Sequence, residues 1–283
     1  MVQWLVERYC AQSEEAMETR ISTYKELIRL VNYFASEGLN IIVVGAPGLS
    51  KTTIIEQAVG ELGRKLDGNV TAFELYKLLY RHRDELIILD DIDSLYNNQS
   101  AVRLLKQACQ TTDAKTVSWF SKAPDIGDGA DQVPATFETT SRFIIIANEW
   151  KTKNQNVSAI VDRGVLLRFE PSAHEVHRYV SGWFQDNDVL RFIELLLPAA
   201  TAVSARVYIQ ASHLRRAGLP WQEMVCSTLG VSERTLKLIE LESSPLKPME
   251  RAKAYQEAAG VSQAAYYRHV KKLKRPARVE VLS

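Results

Sequence analysis

A chain of 283 residues is long enough for two domains, or three, and for a sizeable core. With 46% hydrophobic and 24% charged residues and a formal charge of +1, it reads as globular, which excludes a disordered or generally polycationic protein. The charge is unevenly placed: the segment from Lys247 to Arg278 carries nine Lys or Arg against two acids, so a basic surface is expected near the C-terminus. Cys10, Cys109 and Cys226 have neither the C-x-x-C spacing of a zinc site nor the even number of a disulfide framework, and they read as reduced thiols of a cytoplasmic protein. The start, "MVQWLVERYCAQSEE", lacks the basic-then-apolar pattern of a signal peptide. No apolar run approaches the roughly 20 residues that span a bilayer, so no membrane role is expected.

Taken in order, residues 1–38 read as helical, with Tyr24, Leu27, Leu30, Val31 and Phe34 on one stripe and Gly38 as the stop. Strand and helix patterns then alternate: a strand at 41–44, a helix at 51–66, a strand at 86–89, a helix at 100–111, and strands at 143–147 and 165–169. Short apolar runs that each enter a polar loop predict a parallel α/β sheet covered by helices on both faces, with ligand chemistry at the strands' carboxyl ends. The segment "SKAPDIGDGADQVPATFETT", rich in Gly, Pro and Asp, reads as a functional insertion or a mobile loop. After Pro171 only helical patterns follow. Two stretches there are alike, "LGVSERTLKLIELE" from Leu229 and "AGVSQAAYYRHVKKLK" from Ala259, and they predict a paired small module.

The first strand runs into "GAPGLSKT" and then a helix, close to the phosphate-loop pattern G-x-x-x-x-G-K-[ST]. Gly45 and Gly48 supply flexible backbone, Lys51 a charge for the β and γ phosphates, and Thr52 a hydroxyl for Mg²⁺. Ser50 stands where the pattern has its second glycine. If that position needs a positive φ, serine costs on the order of 1 kcal/mol there. The second strand ends in "LIILDDID": Asp90 is placed to hold Mg²⁺ and Asp91 to orient or deprotonate an attacking water, although an isolated D-D pair after a strand also serves as a helix cap or a solvated turn. Asn148, closing "RFIIIAN", is placed to position the same water.

Together with Arg163 before the last strand and Arg206 early in a later helix, this order of motifs resembles the AAA+ ATPases, over roughly residues 20–222. The resemblance implies Walker A at Gly45 to Thr52, Walker B at Asp90 and Asp91, sensor 1 at Asn148, an arginine finger at Arg163 and sensor 2 at Arg206. It further implies ATP and Mg²⁺ as ligands, an α/β core over 39–171, a helical lid over 172–222, and assembly of identical subunits in a ring or spiral. Asp91 stands where many members carry Glu. The D-D form also occurs in replication initiators, helicase loaders and transposition helper ATPases, which turns the expectation toward DNA and toward a client such as a helicase or transposase. Arg163 has an alternative as a helix C-terminal cap, and Arg206 as a solvated surface residue.

Residues 223–283 resemble a helix-turn-helix unit. Gly260 supplies the turn and Ser262 the N-cap, with Tyr266, Val270 and Leu273 facing the module's own core. Gln263, Tyr267 and Lys271 with Lys274, flanked by Arg268, Lys272 and Arg275, form a face suited to a major groove of double-stranded DNA. A solvated basic helix in a small bundle is the plainer alternative. The earlier copy offers Glu233, Glu240 and Glu242 against Arg234 and Lys237, and reads as structural or as a protein-docking surface. The expected function is an oligomerising ATPase acting on or with DNA. The alternatives are a protein-remodelling ATPase and a nucleotide-gated DNA-binding switch with little turnover.

Overall fold

The computed structural model describes residues 18–67, 71–90, 98–120, 126, 132–148, 160 and 162–273. They form two compact units, one ending at Pro171 and one beginning at Ser172.

The first unit is built on six parallel strands: β1 (Glu18–Ile21), β2 (Ile41–Val44), β3 (Gly63–Asp67), β4 (Leu86–Asp90), β7 (Arg142–Ala147) and β8 (Val165–Phe169), in the order β1-β8-β2-β7-β4-β3. The remaining two, β5 (Lys115–Ser118) and β6 (Thr136–Thr139), pair as a separate antiparallel ribbon. Among the described residues, this unit has the helices α1 (Tyr24–Ser36), α2 (Lys51–Val59), α3 (Ala72–Arg81) and α4 (Gln99–Ala108). Alternation along each strand divides the core. Ile42, Val44, Ile87, Leu89, Phe143 and Ile145 pack in one cluster with Leu75, Tyr76 and Leu79 of α3 and Leu104 and Leu105 of α4. Their neighbours Ile41, Val43, Ile88, Ile144, Ile146 and Leu167 are equally buried and point to the other face, where α1 packs on β2 and α2. Burial on both faces is why these strands read as unbroken apolar runs.

Three expectations need correction. Residues 18–21, expected as helix, form the edge strand β1 beside β8. The segment 18–23 lacks the i, i+3, i+4 stripe that begins at Tyr24, and the helix starts only at the Thr23 cap, whose Oγ1 accepts from Glu26 N at 3.2 Å. The helix expected over 51–66 ends at Val59. Gly60 (φ 56°) turns the chain through a short 3-10 segment, and Gly63 opens β3 with no room for a side chain, since a Cβ there would lie 2.6 Å from Val59 Cγ2. The Gly, Pro and Asp-rich loop is structured at its end, where β6 pairs with β5 and buries Phe137 against Tyr76 and Tyr80.

The second unit is helical: α5 (Ala173–Ser181), α6 (Asn187–Leu196), α7 (Ala205–Arg216), α8 (Trp221–Leu229), α9 (Glu233–Glu242), α10 (Pro248–Ala259) and α11 (Gln263–Leu273). The two similar sequence stretches make the same turn. Gly230 (φ 69°, ψ 27°) ends α8 and Gly260 (φ 65°, ψ 31°) ends α10, each followed by Val-Ser and a new helix. Their packing differs from two independent modules, because α8 packs on α6 and α7 whereas α9 packs on α10 and α11 as well as on α6. Leu238, Leu241, Ala252, Tyr255 and Tyr266 form the core of that last cluster. Among the described residues, no helix is long and apolar enough to cross a membrane.

Candidate functional site

The α/β unit places its polar side chains where strands β2, β4 and β7 end. The chain leaves β2 at Val44 and enters α2 at Lys51, and the loop between them follows a close approach of backbone. The Gly45 amide donates to Ala147 O at 3.3 Å, and a Cβ on Gly45 would meet Phe169 O at 2.5 Å, so only glycine fits. Gly48 has φ 78°. Ser50 has φ 58° and ψ 26° and is the only described non-glycine residue at positive φ. The conformation that the phosphate-loop pattern assigns to glycine is therefore adopted, and serine bears it. Its side chain does not cap α2, so nothing local repays the strain. Replacing Ser50 by Gly removes about 1 kcal/mol or more of left-handed strain and adds back part of it as unfolded-chain entropy. We expect Ser50→Gly to unfold at equal or slightly higher urea concentration and to bind nucleotide at least as well. A large loss of affinity would give the serine hydroxyl a role of its own.

The start of α2 suits an anion. Helices α1, α3, α5 and α6 each carry an acid in the first turn, whereas α2, like α4, α7 and α11, carries none. Its free amides and dipole therefore meet no carboxylate of the helix itself. Lys51 is only 6% exposed. Its Nζ donates to Gly45 O at 2.7 Å, to Ala46 O at 3.0 Å and to Asn148 Oδ1 at 3.1 Å, so the ammonium is folded back over the loop and onto the end of β7. Thr52 Oγ1 donates to Asp90 Oδ2 at 2.7 Å. Lys51, Thr52, Asp90 and Asn148, spread over ninety-odd residues of sequence, thus converge at one edge of the sheet.

A hydroxyl beside a carboxylate is a hard-oxygen pair of the kind Mg²⁺ takes, and it leaves most of the coordination to phosphate oxygens and water. Among the described residues there is no group of three or more His, Cys, Asp or Glu able to cage a metal alone. The donor set fits Mg²⁺ carried with a nucleotide, held by Thr52 and Asp90. Asp91 lies outside the described residues.

Arg163 stands at the opposite edge. It falls in the turn just before β8, where its amide donates to Ile160 O at 3.1 Å and its carbonyl accepts from Asn40 Nδ2 at 3.1 Å. Asn40, 6% exposed, was not singled out from the sequence, yet it ties three segments together. Its Nδ2 also reaches Cys109 O at 2.9 Å, and its Oδ1 accepts from Phe143 N at 3.1 Å. Because Ile41 is in register with Val165 and Val44 with Arg168, the whole of β2, about 10 Å of strand, separates the Arg163 turn from the phosphate loop. The Arg163 backbone is thus tied to Ile160 and to Asn40 in the turn before β8. Cys109, beside Asn40, is buried, which pushes its thiol up to about 12 and keeps it protonated. Cys226 is likewise a free thiol, and Cys10 lies outside the described residues.

Another residue missed in the sequence is Lys65. It falls within the helix expected over 51–66; on β3 it lies beside the site, with Nζ 3.7 Å from Asp90 Oδ2 and 3.3 Å from Glu56 Oε1. Gly60 and Gly63 were the available signal.

In the second unit Arg206 is exposed on the first turn of α7. On α11, Ser262 Oγ accepts from Ala265 N at 3.3 Å, Tyr266 is buried, and Val270 and Leu273 pack on the α9–α10 core. Gln263, Tyr267, Arg268, Lys271 and Lys272 are exposed, Tyr267 by 50%. Lys274 and Arg275 lie outside the described residues. On α9 the acids are partly consumed internally: Glu242 accepts from the Tyr266 hydroxyl and pairs with Arg251 at 3.3 Å, and Glu240 pairs with Lys237 at 3.2 Å.

No protein-family model matches the chain, and no curated protein matches it in sequence. Solved structures do match. The RuvB Holliday junction branch migration motor of Thermotoga maritima is similar with 13% identity over 88% of this chain and 86% of that one, at a TM-score of 0.45. NtrX from Brucella abortus in complex with ATP is similar with 10% identity over 97% of this chain and 72% of that one, at 0.46. PCH-2 of C. elegans is similar with 11% identity over 73% of this chain and 65% of that one, at 0.38. At such identities no activity carries over, and what the chain can do is read from its own side chains. Its fold is α/β: a parallel sheet with helices on both faces, followed by an all-α region.

Proposed function

We propose that the protein is an AAA+ ATPase that binds ATP with Mg²⁺, assembles with copies of itself in a ring or spiral, and acts on or with DNA. The observation that carries the nucleotide part is the convergence of Lys51, Thr52, Asp90 and Asn148 around a loop whose Ser50 adopts the glycine conformation. In this reading Lys51 leaves the loop carbonyls for the β and γ phosphates, and Thr52 and Asp90 hold the Mg²⁺ that neutralises developing charge. Asn148 and Asp91 orient the attacking water. Residues 172–222 are the lid in this reading, with Arg206 as its sensor 2 residue. Helicase loading, replication and mobile-element movement are the settings this reading favours, with a helicase or transposase as client.

The DNA part rests on α11. Its described residues hold Arg268, Lys271 and Lys272 and no acid, and its apolar side is already used against α9 and α10. A helix packed in this way has its basic side left for phosphate, with Gln263 near base edges. We expect double-stranded DNA to stimulate phosphate release. Lys271→Glu with Lys272→Glu should weaken DNA binding by tenfold or so, and the parent's affinity should fall steeply as salt rises, because each phosphate contact releases counterions. Binding indifferent to salt would remove α11 as a phosphate-contacting face. Stimulation by a protein client but not by DNA would favour protein remodelling instead. The strain at Ser50 gives the switch reading its own support, and tight ATP binding without phosphate release would select it.

A further inference from the structure

Lys65 and Asp90 sit on adjacent parallel strands. The register pairs Lys65 with Ile88, and Asp90 lies two residues further along β4, so both side chains stand on the same face. Glu56 lies one helical turn beyond Thr52 on α2, which places those two on one stripe. The helix stripe and the sheet face meet: Thr52 Oγ1 is 2.7 Å and Lys65 Nζ 3.7 Å from the same Asp90 oxygen, and Lys65 Nζ is 3.3 Å from Glu56. The Asp90 carboxylate is 18% exposed, Lys65 32% and Glu56 43%, so the ammonium bridges an inner acid and an outer one.

We infer that Lys65 is the internal counter-ion of Asp90 and sets how much Mg²⁺ the nucleotide site requires. The inference deepens the nucleotide reading and rests on it. An ammonium beside Asp90 neutralises the carboxylate that Mg²⁺ must recruit, directly or through its waters, and it repels a dication arriving there. Glu56 is the position to which Lys65 retreats: when Mg²⁺ takes Asp90, the same flexible side chain keeps a full ion pair with the outer acid. Lys65 therefore acts through Asp90, as a positioning residue, and Asp90 and Glu56 are acids of different depth beside it. Its effect has opposite signs with and without metal. Without Mg²⁺ it screens Asp90 from the nucleotide phosphates; with Mg²⁺ it competes.

The test is calorimetric ATP binding by the full chain in EDTA and across a Mg²⁺ titration. Lys65→Met should bind ATP more weakly in EDTA, because Asp90 then faces the phosphates unscreened, and should need roughly three- to tenfold less Mg²⁺ for half-saturation. Glu56→Gln should shift the Mg²⁺ requirement the other way, since Lys65 then has Asp90 as its remaining acid of the two. Lys65→Arg should follow the parent. A Mg²⁺ requirement equal to the parent's in both Lys65→Met and Glu56→Gln, or shifted in the same direction in both, overturns the inference while leaving the nucleotide reading intact. A parent that binds no ATP under either condition sinks that reading, and the role of Lys65 with it.

Discussion

Lys51→Ala loses nucleotide binding by about 100-fold or more, and calorimetry with ATP and Mg²⁺ is expected to register no heat of binding. The ammonium is buried at the N-terminus of α2, within 3.1 Å of two loop carbonyls and Asn148, so it is held where an anion seated on the loop would lie. Two charge-assisted hydrogen bonds to phosphate, each worth about 1.5–3 kcal/mol, account for a loss of that size. Alanine is the better helix former, which offsets part of the loss of the bonds from Lys51 to the buried Gly45 carbonyl and the Ala46 carbonyl. The variant is therefore expected to keep the parent's circular dichroism and melting behaviour within a few degrees. A folded Lys51→Ala protein that binds ATP as the parent does would mean that the loop between β2 and α2 is not the phosphate site.

The sheet and the site were unequally legible. Strands β2, β4, β7 and β8 announced themselves because each is buried on both faces, and an apolar run closed by a polar residue has few other readings. For the same reason Asp90 and Asn148 could be singled out, as the polar ends of two such runs; they contact Thr52 and Lys51. The edge strands were not legible. Glu18–Ile21 and Gly63–Asp67 are short and carry charged residues, and a polar edge strand has no periodicity to separate it from a helix or a loop. Losing β3 meant losing Lys65, whose partners become neighbours only once the chain has turned at Gly60. Asn40 was invisible for a different reason: a single amide before a strand means nothing until the three backbone groups it joins, at Cys109, Phe143 and Arg163, are brought together by the fold. The repeat near the C-terminus was legible as sequence, and its turns match. Its packing was not, because which helices share a core depends on contacts between α6, α7 and α8 that lie outside the repeated stretch.

Arg163→Ala binds ATP with the parent's affinity and hydrolyses it about 10³-fold or more slowly, the usual cost of removing an arginine that stabilises charge on the transferring phosphoryl group. The Arg163 turn enters β8 at the strand's amino end, whereas the phosphate loop leaves β2 at its carboxyl end, and the two strands are parallel neighbours in register. The sheet's own length stands between this arginine and its own loop, so in the proposed assembly Arg163 is assigned to the nucleotide of a neighbouring copy. Asn40 fixes the turn from below, through the Arg163 carbonyl, so the backbone from which the guanidinium projects is set by the fold and needs no ligand to order it. Mixing two inactive variants separates the possibilities. A Lys51→Ala subunit keeps its arginine and loses its pocket, and an Arg163→Ala subunit keeps its pocket and loses its arginine. Where they alternate in an assembly, the intact pocket meets the intact arginine, and phosphate release should recover to a fraction set by how often the two kinds are neighbours. Recovery should peak near equal mixing and vanish at either extreme. Mixtures that electron microscopy shows to co-assemble, yet release no phosphate at any ratio, would place Arg163 outside the catalysis of its neighbours.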